Sequence, residues 1–379
     1  MDFFRGLGLW IVFIDHIDPN VWSRYMLGGI GFSDFAEIFV FLSGFVGVGS
    51  YACALARGDV RGCVSKLVRR MGRLYGAHLL SFSTGLLLLA VFAQRGLWLN
   101  EPSLYSWTQQ PEHYAWLALS LRYAPHLFSL LPLYIVSAPI LLLATIGLRR
   151  IPALTVSISA GLWLISQIPF VDAHMLHPGG YFRPLAWQFL FVLGACARMH
   201  SERFSKLARA PRVIWAAAAV LVASAGWKIL LSVPHDAGKA TLAPYRLIHF
   251  LALAAVVYAL MKHNGKWLQS SMARLAMACG ADSLFIYSCT LVMDIGANLI
   301  LAAFHGQAPM QLELSLCGLA MVSALAWARA GKAQTPLAHA QGSDLGSLTL
   351  PVSGLPVYAG PSPAMARRPR FRRGRSRSS

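Results

Sequence analysis

Ten apolar stretches, most of them close to 20 residues long, recur along this chain. A helix needs about 20 apolar residues to cross the hydrocarbon core of a bilayer. Only 13% of the residues are charged, against about a quarter in a typical soluble domain. The sequence therefore predicts an all-α polytopic membrane protein with about ten transmembrane helices. They cover approximately residues 3–18, 32–54, 75–96, 126–147, 153–170, 184–200, 213–233, 245–261, 283–304 and 310–328.

Basic residues are unevenly shared between the connections of these spans. Lysine and arginine concentrate in every second connection, which is the pattern of cytosolic loops in membrane proteins. The connections on that side are residues 55–74, 148–152, 198–212 and 262–282. Both termini are then predicted to be cytosolic. The same distribution explains the net charge of +18 without nucleic-acid binding, so we expect no nucleic-acid partner.

The apolar pattern stops near residue 330. Residues 331–379 are rich in Gly, Pro, Ser and Ala and end in an arginine-rich run, a composition typical of disordered segments. We therefore predict a membrane domain over residues 1–330 and a disordered basic cytosolic tail over residues 331–379. The arginines of the tail suit the anionic headgroups of membrane lipids.

The first two spans carry ionisable side chains, which are costly inside a membrane and usually mark function. In the first span, Arg5 and His16 are eleven residues apart, so they share one helical face and lie about 16 Å apart along the axis. Asp15 points about 100° away from His16 and is a poor partner for it within the helix.

The second span begins with two acidic residues. Asp34 and Glu37 are three residues apart and share a face. If the first two helices are an antiparallel pair, His16 and Glu37 lie at similar depth and can touch, while Arg5 lies at the opposite membrane face. The alternative is that these charges only close a buried polar network between helices.

Several motifs resemble the membrane acyltransferase superfamily that includes acyltransferase family 3, and most closely its OpgC family. That family comprises the succinyltransferases of osmoregulated periplasmic glucans, and the resemblance covers about residues 1–330. The motifs that carry it are Asp2-Phe-Phe-Arg-Gly6, Asp15-His16, Gly31-Phe-Ser-Asp34, Ala36-Glu-Ile-Phe-Val-Phe-Leu-Ser-Gly44, Leu74-Tyr75 with Ala77-His78, Leu131-Pro-Leu-Tyr-Ile135, and Pro184-Leu-Ala-Trp-Gln-Phe-Leu-Phe-Val-Leu-Gly194.

The resemblance implies transfer of an acyl group, succinyl in that family, from cytosolic acyl-CoA to hydroxyls of a periplasmic glucan at the bacterial inner membrane. Such a transfer needs a base for the hydroxyl proton, and histidine is the usual choice, so His16 is the catalytic candidate. Its own acylation is the other possibility. The carboxylate of Glu37 or Asp34 is expected to fix the histidine tautomer. Asp15 completes the catalytic set.

Arginine side chains are suited to the phosphates of coenzyme A. Arg5 at the cytosolic face is predicted to lie level with the basic start of the third predicted span, which supplies Arg69, Arg70 and Arg73 beside Lys66. Topology alone is the alternative explanation for that basic run. His78 lies one turn further into the same span. It is either part of the donor channel or a buried histidine bonded to a backbone carbonyl.

The predicted outer side is rich in aromatic residues, which can stack on sugar rings or form the aromatic belt of a membrane interface. Trp107 in the longest outer loop is a candidate for the glucan. Trp187 and Gln188 in the sixth span either face the substrate or pack. Three further residues, Asp172, His174 and His177, are only weak evidence for a metal, and we expect no metal and no permanently bound cofactor.

Two other functions remain open at this point. Intramembrane charges are also used by transporters, so a transporter or flippase for a polar solute or an acylated sugar is the alternative. Matched broken helices, which such transporters use, are not evident in the sequence. A scaffold that contacts glucan-synthesis proteins is compatible with the sequence as an added role.

Overall fold

The computed structural model describes residues 1–93, 110–169, 181–263 and 265–340, and regular structure in these ranges is entirely helical. Three short 3₁₀ helices accompany the α-helices, at Val21–Tyr25, His126–Phe128 and Gly265–Gln269. The α-helices are α1 Asp2–His16, α2 Leu27–Ile30, α3 Phe35–Ala56, α4 Val60–Ala93, α5 Pro111–Leu119, α6 Leu130–Arg150, α7 Pro152–Ile165, α8 Pro184–Met199, α9 Ser201–Ala208, α10 Pro211–Leu230, α11 Pro244–His263, α12 Ser271–Ala281, α13 Ser283–Ala303 and α14 Ala308–Ala340.

Each of the ten predicted spans coincides with one of these helices. Seven candidate spans are long and apolar enough to cross a membrane within the described ranges. The other three helices, α1, α7 and α8, have 15, 14 and 16 residues. The all-helical, multi-pass prediction is therefore confirmed, while the count of ten and the side of the termini stay predictions. Helix α14 continues to Ala340, and the rest of the predicted tail lies outside the described residues.

Three of the four predicted loops on the basic side contain helix, and residues 198–212 hold the short helix α9. Residues 55–74 belong largely to α4, which begins at Val60, because the basic residues between Arg61 and Arg73 are good helix formers and extend the apolar helix. Residues 262–282 contain α12, which packs closely along α1. In each case the charged residues mark a break between apolar spans, but charge alone does not disfavour a helix.

Glycines let the central helices approach each other closely. At the crossing of α3 and α8, a Cβ on Gly44 would lie 2.1 Å from the carbonyl oxygen of Phe191, and one on Gly194 would lie 2.1 Å from that of Phe41. Small residues allow this backbone approach, which replaces the hydrophobic drive that is missing between helices in lipid. The crossing fixes α3 in the centre of the helical domain.

Helix α1 is held in the same way against α12. A Cβ on Gly6 would meet the backbone of Ala276, and one on Gly280 would meet the backbone of Asp2. Further along, α1 also contacts α13. Helices α12 and α13 therefore determine where the face of α1 that carries Arg5 and His16 points.

Candidate active site

A cavity of about 640 Å³ lies between α1, α3, α4, α6 and α13, within the usual volume range of small-molecule sites. It brings together the basic residues that were predicted to bind the donor. Its lining includes Arg5, Lys66, Arg69, Arg70 and Arg73. These residues come from two helices that are distant in sequence, so the structure gathers the cluster rather than leaving it spread along one connection.

The cavity has a basic end and an apolar end. On α3 it is lined from Phe39 to Tyr51, which corresponds to a length of about 18 Å at 1.5 Å per residue. The arginines surround the Tyr51 end, where a Cβ on Gly47 would lie 2.5 Å from Nη1 of Arg70. Leucines from α1 and α6 surround the Phe39 end: Leu9, Leu130 and Leu131.

His16 lies on the α1 face that lines this cavity, beyond its apolar end. Leu9 lines the cavity and precedes His16 by seven residues, or about 10 Å along the helix. The side chain of His16 is 20% exposed, and its Nδ1 lies 3.0 Å from Oδ2 of Asp294 on α13. The histidine therefore has a carboxylate partner, but from the ninth predicted span instead of the second.

The predicted pairing of His16 with Glu37 or Asp34 was wrong. Both carboxylates bind Arg246 of α11, at 2.7 Å from Nε to Glu37 Oε1 and 3.3 Å from Nη2 to Asp34 Oδ2. Lys239 adds a 2.7 Å contact to Asp34. The reason is geometric: the start of α3 faces a buried guanidinium on α11, while the face of α1 that carries His16 is turned to α13.

Asp34 and Glu37 also form a capping box at the start of α3. The Asp34 side chain accepts a hydrogen bond from the Ala36 amide at 2.8 Å, and the Asp34 amide donates to Glu37 at 2.9 Å. An acidic N-cap residue followed three positions later by Glu is the sequence signature of this cap. That signal was present in the sequence and indicated a structural role. Asp15 is separate from this box, and its buried Oδ1 has no hydrogen-bond partner within the described residues.

His78 is fully buried on α4, and neither of its ring nitrogens has a hydrogen-bond partner in the described part of the chain. The alternative of a bond to a backbone carbonyl is therefore wrong. Its ring stacks on Phe82 with the centroids 5.9 Å apart. Leu74, one turn earlier on the same helix, lines the cavity, so His78 lies next to the cavity without being part of its lining.

The two predicted glucan contacts of the sixth span are packing residues instead. Trp187 is fully buried, and its Nε1 donates to the carbonyl oxygens of Lys239 and Ala240 at 3.0 and 3.1 Å. Gln188 is 2% exposed and exchanges hydrogen bonds with Ser159 of α7. Trp107, and the three residues that hinted at a metal, lie outside the described residues. Within the described ranges, no group of three metal-ligating side chains occurs.

The loop that carries Lys239 is held by donors to its backbone carbonyls. Trp163, Gln167 and Arg246 donate to the loop carbonyls, in addition to Trp187. Tyr181 donates to the carbonyl of Asp236 at 3.3 Å, and burial raises the pKa of this phenol, with the nearby Asp236 charge adding to the shift. The phenol therefore stays protonated as a donor, and the loop presents Lys239 to Asp34 in one fixed arrangement.

Sequence reasoning missed the role of α13. Asp294 is fully buried in the middle of a membrane-length helix, which by itself marks a candidate for function. Asn298 follows at i+4 on the same face, and its Nδ2 donates to the carbonyl oxygen of His16 at 2.8 Å. The polar pair was visible in the sequence, but its partner helix was not.

Comparison with protein families matches residues 1–333 to the family described as OpgC protein. No curated protein and no solved structure matches the chain at a significant level.

Proposed function

Since the chain belongs to the OpgC family, we propose that this multi-pass membrane transferase moves a succinyl group from cytosolic acyl-CoA to hydroxyls of a periplasmic glucan at the bacterial inner membrane. The family supports the general activity, a membrane acyltransferase that modifies glucans. The donor, the acyl group and the direction are the parts that we propose from the geometry and from the family resemblance.

The cavity is the observation that carries the proposal. Its basic end, with Arg5 and Arg70 among its lining, suits the phosphates of coenzyme A, because guanidinium groups bind phosphate oxygens bidentately. Its apolar end lies along α1 on the side of His16, and we place the acyl-bearing arm of the donor there. The phosphates then stay at the basic end while the thioester reaches His16.

His16 acts as the general base in this mechanism. It takes the proton of a glucan hydroxyl as that oxygen attacks the thioester carbonyl carbon, so a C–O bond forms and the C–S bond breaks. The same proton then passes from His16 to the departing thiolate, which leaves as the free thiol. Proton transfer of this kind contributes typically about 10²–10⁴-fold in rate. The glucan never has to cross the membrane.

His78 belongs to the donor side of this proposal. A neutral imidazole has one donor and one acceptor nitrogen, and leaving both buried and unpaired is costly. Since His78 does not line the cavity, we propose that it supports the wall of the donor site rather than binding the donor. Asp15, beside His16 in sequence, is the remaining carboxylate that we propose for contact with acceptor hydroxyls.

Replacement of His16 tests the function. We expect His16→Ala to lose succinylation of periplasmic glucans by at least about a hundredfold, because the hydroxyl proton has no acceptor. The measurement is mass spectrometry of periplasmic glucans from cells in which the gene for this protein is deleted and the variant is expressed instead. The exposed His113→Ala is the matched control and should retain full modification. Normal succinylation by His16→Ala at wild-type protein level would contradict the proposal.

A further inference from the structure

Helix α13 contacts the end of α1 at two points, one on the ring of His16 and one on its backbone. Asp294 and Asn298 are one turn apart and therefore share a face. Asp294 Oδ2 lies 3.0 Å from Nδ1 of the ring. Asn298 Nδ2 donates to the carbonyl oxygen of His16 at 2.8 Å, while its Oδ1 accepts from the amide of Asp18 at 2.8 Å.

These contacts fix groups that the end of a helix leaves without partners. The last carbonyls of a helix have no intrahelical donor, and the His16 carbonyl is one of them because α1 ends at this residue. Since both ends of the Asn298 amide are used, its orientation is determined, and it holds the backbone on both sides of residue 17. A second amide, Asn20, donates to the carbonyl of Ile14 at 3.0 Å.

We propose that Asp294 and Asn298 are the positioning residues of the acyl transfer, an inference that rests on the proposed function of His16. Asp294 accepts the Nδ1 proton and so selects the tautomer in which Nε2 is the basic nitrogen. Asn298 fixes the backbone from which the ring projects. The carboxylate of fully buried Asp294 also stabilises the imidazolium that forms during proton transfer.

The alternative is that both residues only pack α13 against α1. A packing role predicts that variants lose stability in proportion to activity and that an isosteric amide at residue 294 is tolerated. A positioning role predicts a fall in kcat with an unchanged affinity for the donor. The two roles therefore separate in kinetics.

The test is the purified full-length protein in detergent with succinyl-CoA and unmodified periplasmic glucan. For Asp294→Asn we expect kcat to fall by about 10²–10⁴-fold, because an amide that donates to Nδ1 selects the wrong tautomer. The Kd for free coenzyme A and the Tm should stay near the wild-type values, and Asp294→Glu should recover part of kcat. Asn298→Ala should lower kcat by about tenfold with the same Kd for coenzyme A.

Asp282→Asn is the matched control, since Asp282 precedes the same helix but is 37% exposed and pairs with Arg329. It should leave kcat unchanged. Full kcat in both Asp294→Asn and Asn298→Ala would overturn the positioning role while leaving the proposed function intact. If Asp294→Asn is not recovered folded, Asn298→Ala decides alone. The proposed function itself fails only if His16→Ala retains transfer.

Discussion

At the scale of single residues, the cationic cavity and the His16 site differ in how much the sequence revealed. The arginines of the cavity were predictable because they recur on one face of α4 and were expected at the same depth in the membrane as Arg5. The partner of His16 was not, because the sequence gives the depth of a residue along its helix but not which neighbour that helix meets. Glu37 was at a plausible depth to contact His16, but it forms an ion pair with Arg246 instead.

The donor cluster gives the prediction at this scale. Arg70→Ala and Arg5→Ala should each weaken binding of free coenzyme A by about tenfold or more, because a hydrogen bond to a charged group contributes about 1.5–3 kcal/mol. The rise in Tm on adding coenzyme A measures the binding. Raising the salt concentration should reduce the difference in this rise between wild type and variants, because salt screens the charges. Arg61→Ala is the control, since Arg61 is exposed on the same helix and does not line the cavity. Equal thermal shifts in all three variants would contradict a phosphate-binding role.

At the scale of helices, apolar patterning predicted where the helices lie, but not which of them are short or how they cross. The sequence shows that Gly44 and Gly194 are small residues, but a single sequence does not show that the helices carrying them contact each other. The structure pairs them through reciprocal contacts with Phe191 and Phe41. The same limit explains why α12 was read as a loop: its partner, Gly6 on α1, lies far away in sequence.

The contribution of the α3–α8 crossing to stability can be tested directly. Gly194→Ala and Gly44→Ala should each destabilise the protein by about 1–3 kcal/mol, because the added methyl forces two backbones apart. Thermal unfolding in detergent measures the effect as a lowered Tm. Gly49→Ala on the same helix α3 is the control, since a Cβ there meets nothing within 4 Å. Helix propensity alone should raise the Tm of Gly49→Ala slightly, because Ala is a better helix former than Gly. A Tm loss in Gly49→Ala as large as in Gly44→Ala and Gly194→Ala would contradict the role of the crossing.

At the scale of the whole molecule, the proposed site has two chemically different ends, the basic end of the cavity and His16. Arg5, at the arginine end of the cavity, and His16 lie on one face of α1, about 16 Å apart along the helix axis. Positive residues on alternate connections predict that the arginine end faces the cytosol. A membrane protein with this polarity can take its donor from one compartment and modify an acceptor in the other.

Sidedness is the property that tests this polarity. In vesicles that hold the protein in one known orientation, succinyl-CoA supplied on the side of the α4 arginines should modify glucan placed on the opposite side, and free coenzyme A should appear with the donor. With donor and glucan both on the His16 side, modification should fall to the level of His16→Ala vesicles, because the phosphates cannot reach the arginines through the bilayer. Detergent solubilisation removes the two compartments and should restore activity to the same mixture, which serves as the internal control. Equal amounts of product from both arrangements in sealed vesicles would mean that donor and acceptor can enter from the same side. That result would contradict binding of the donor phosphates at the arginine end of the cavity.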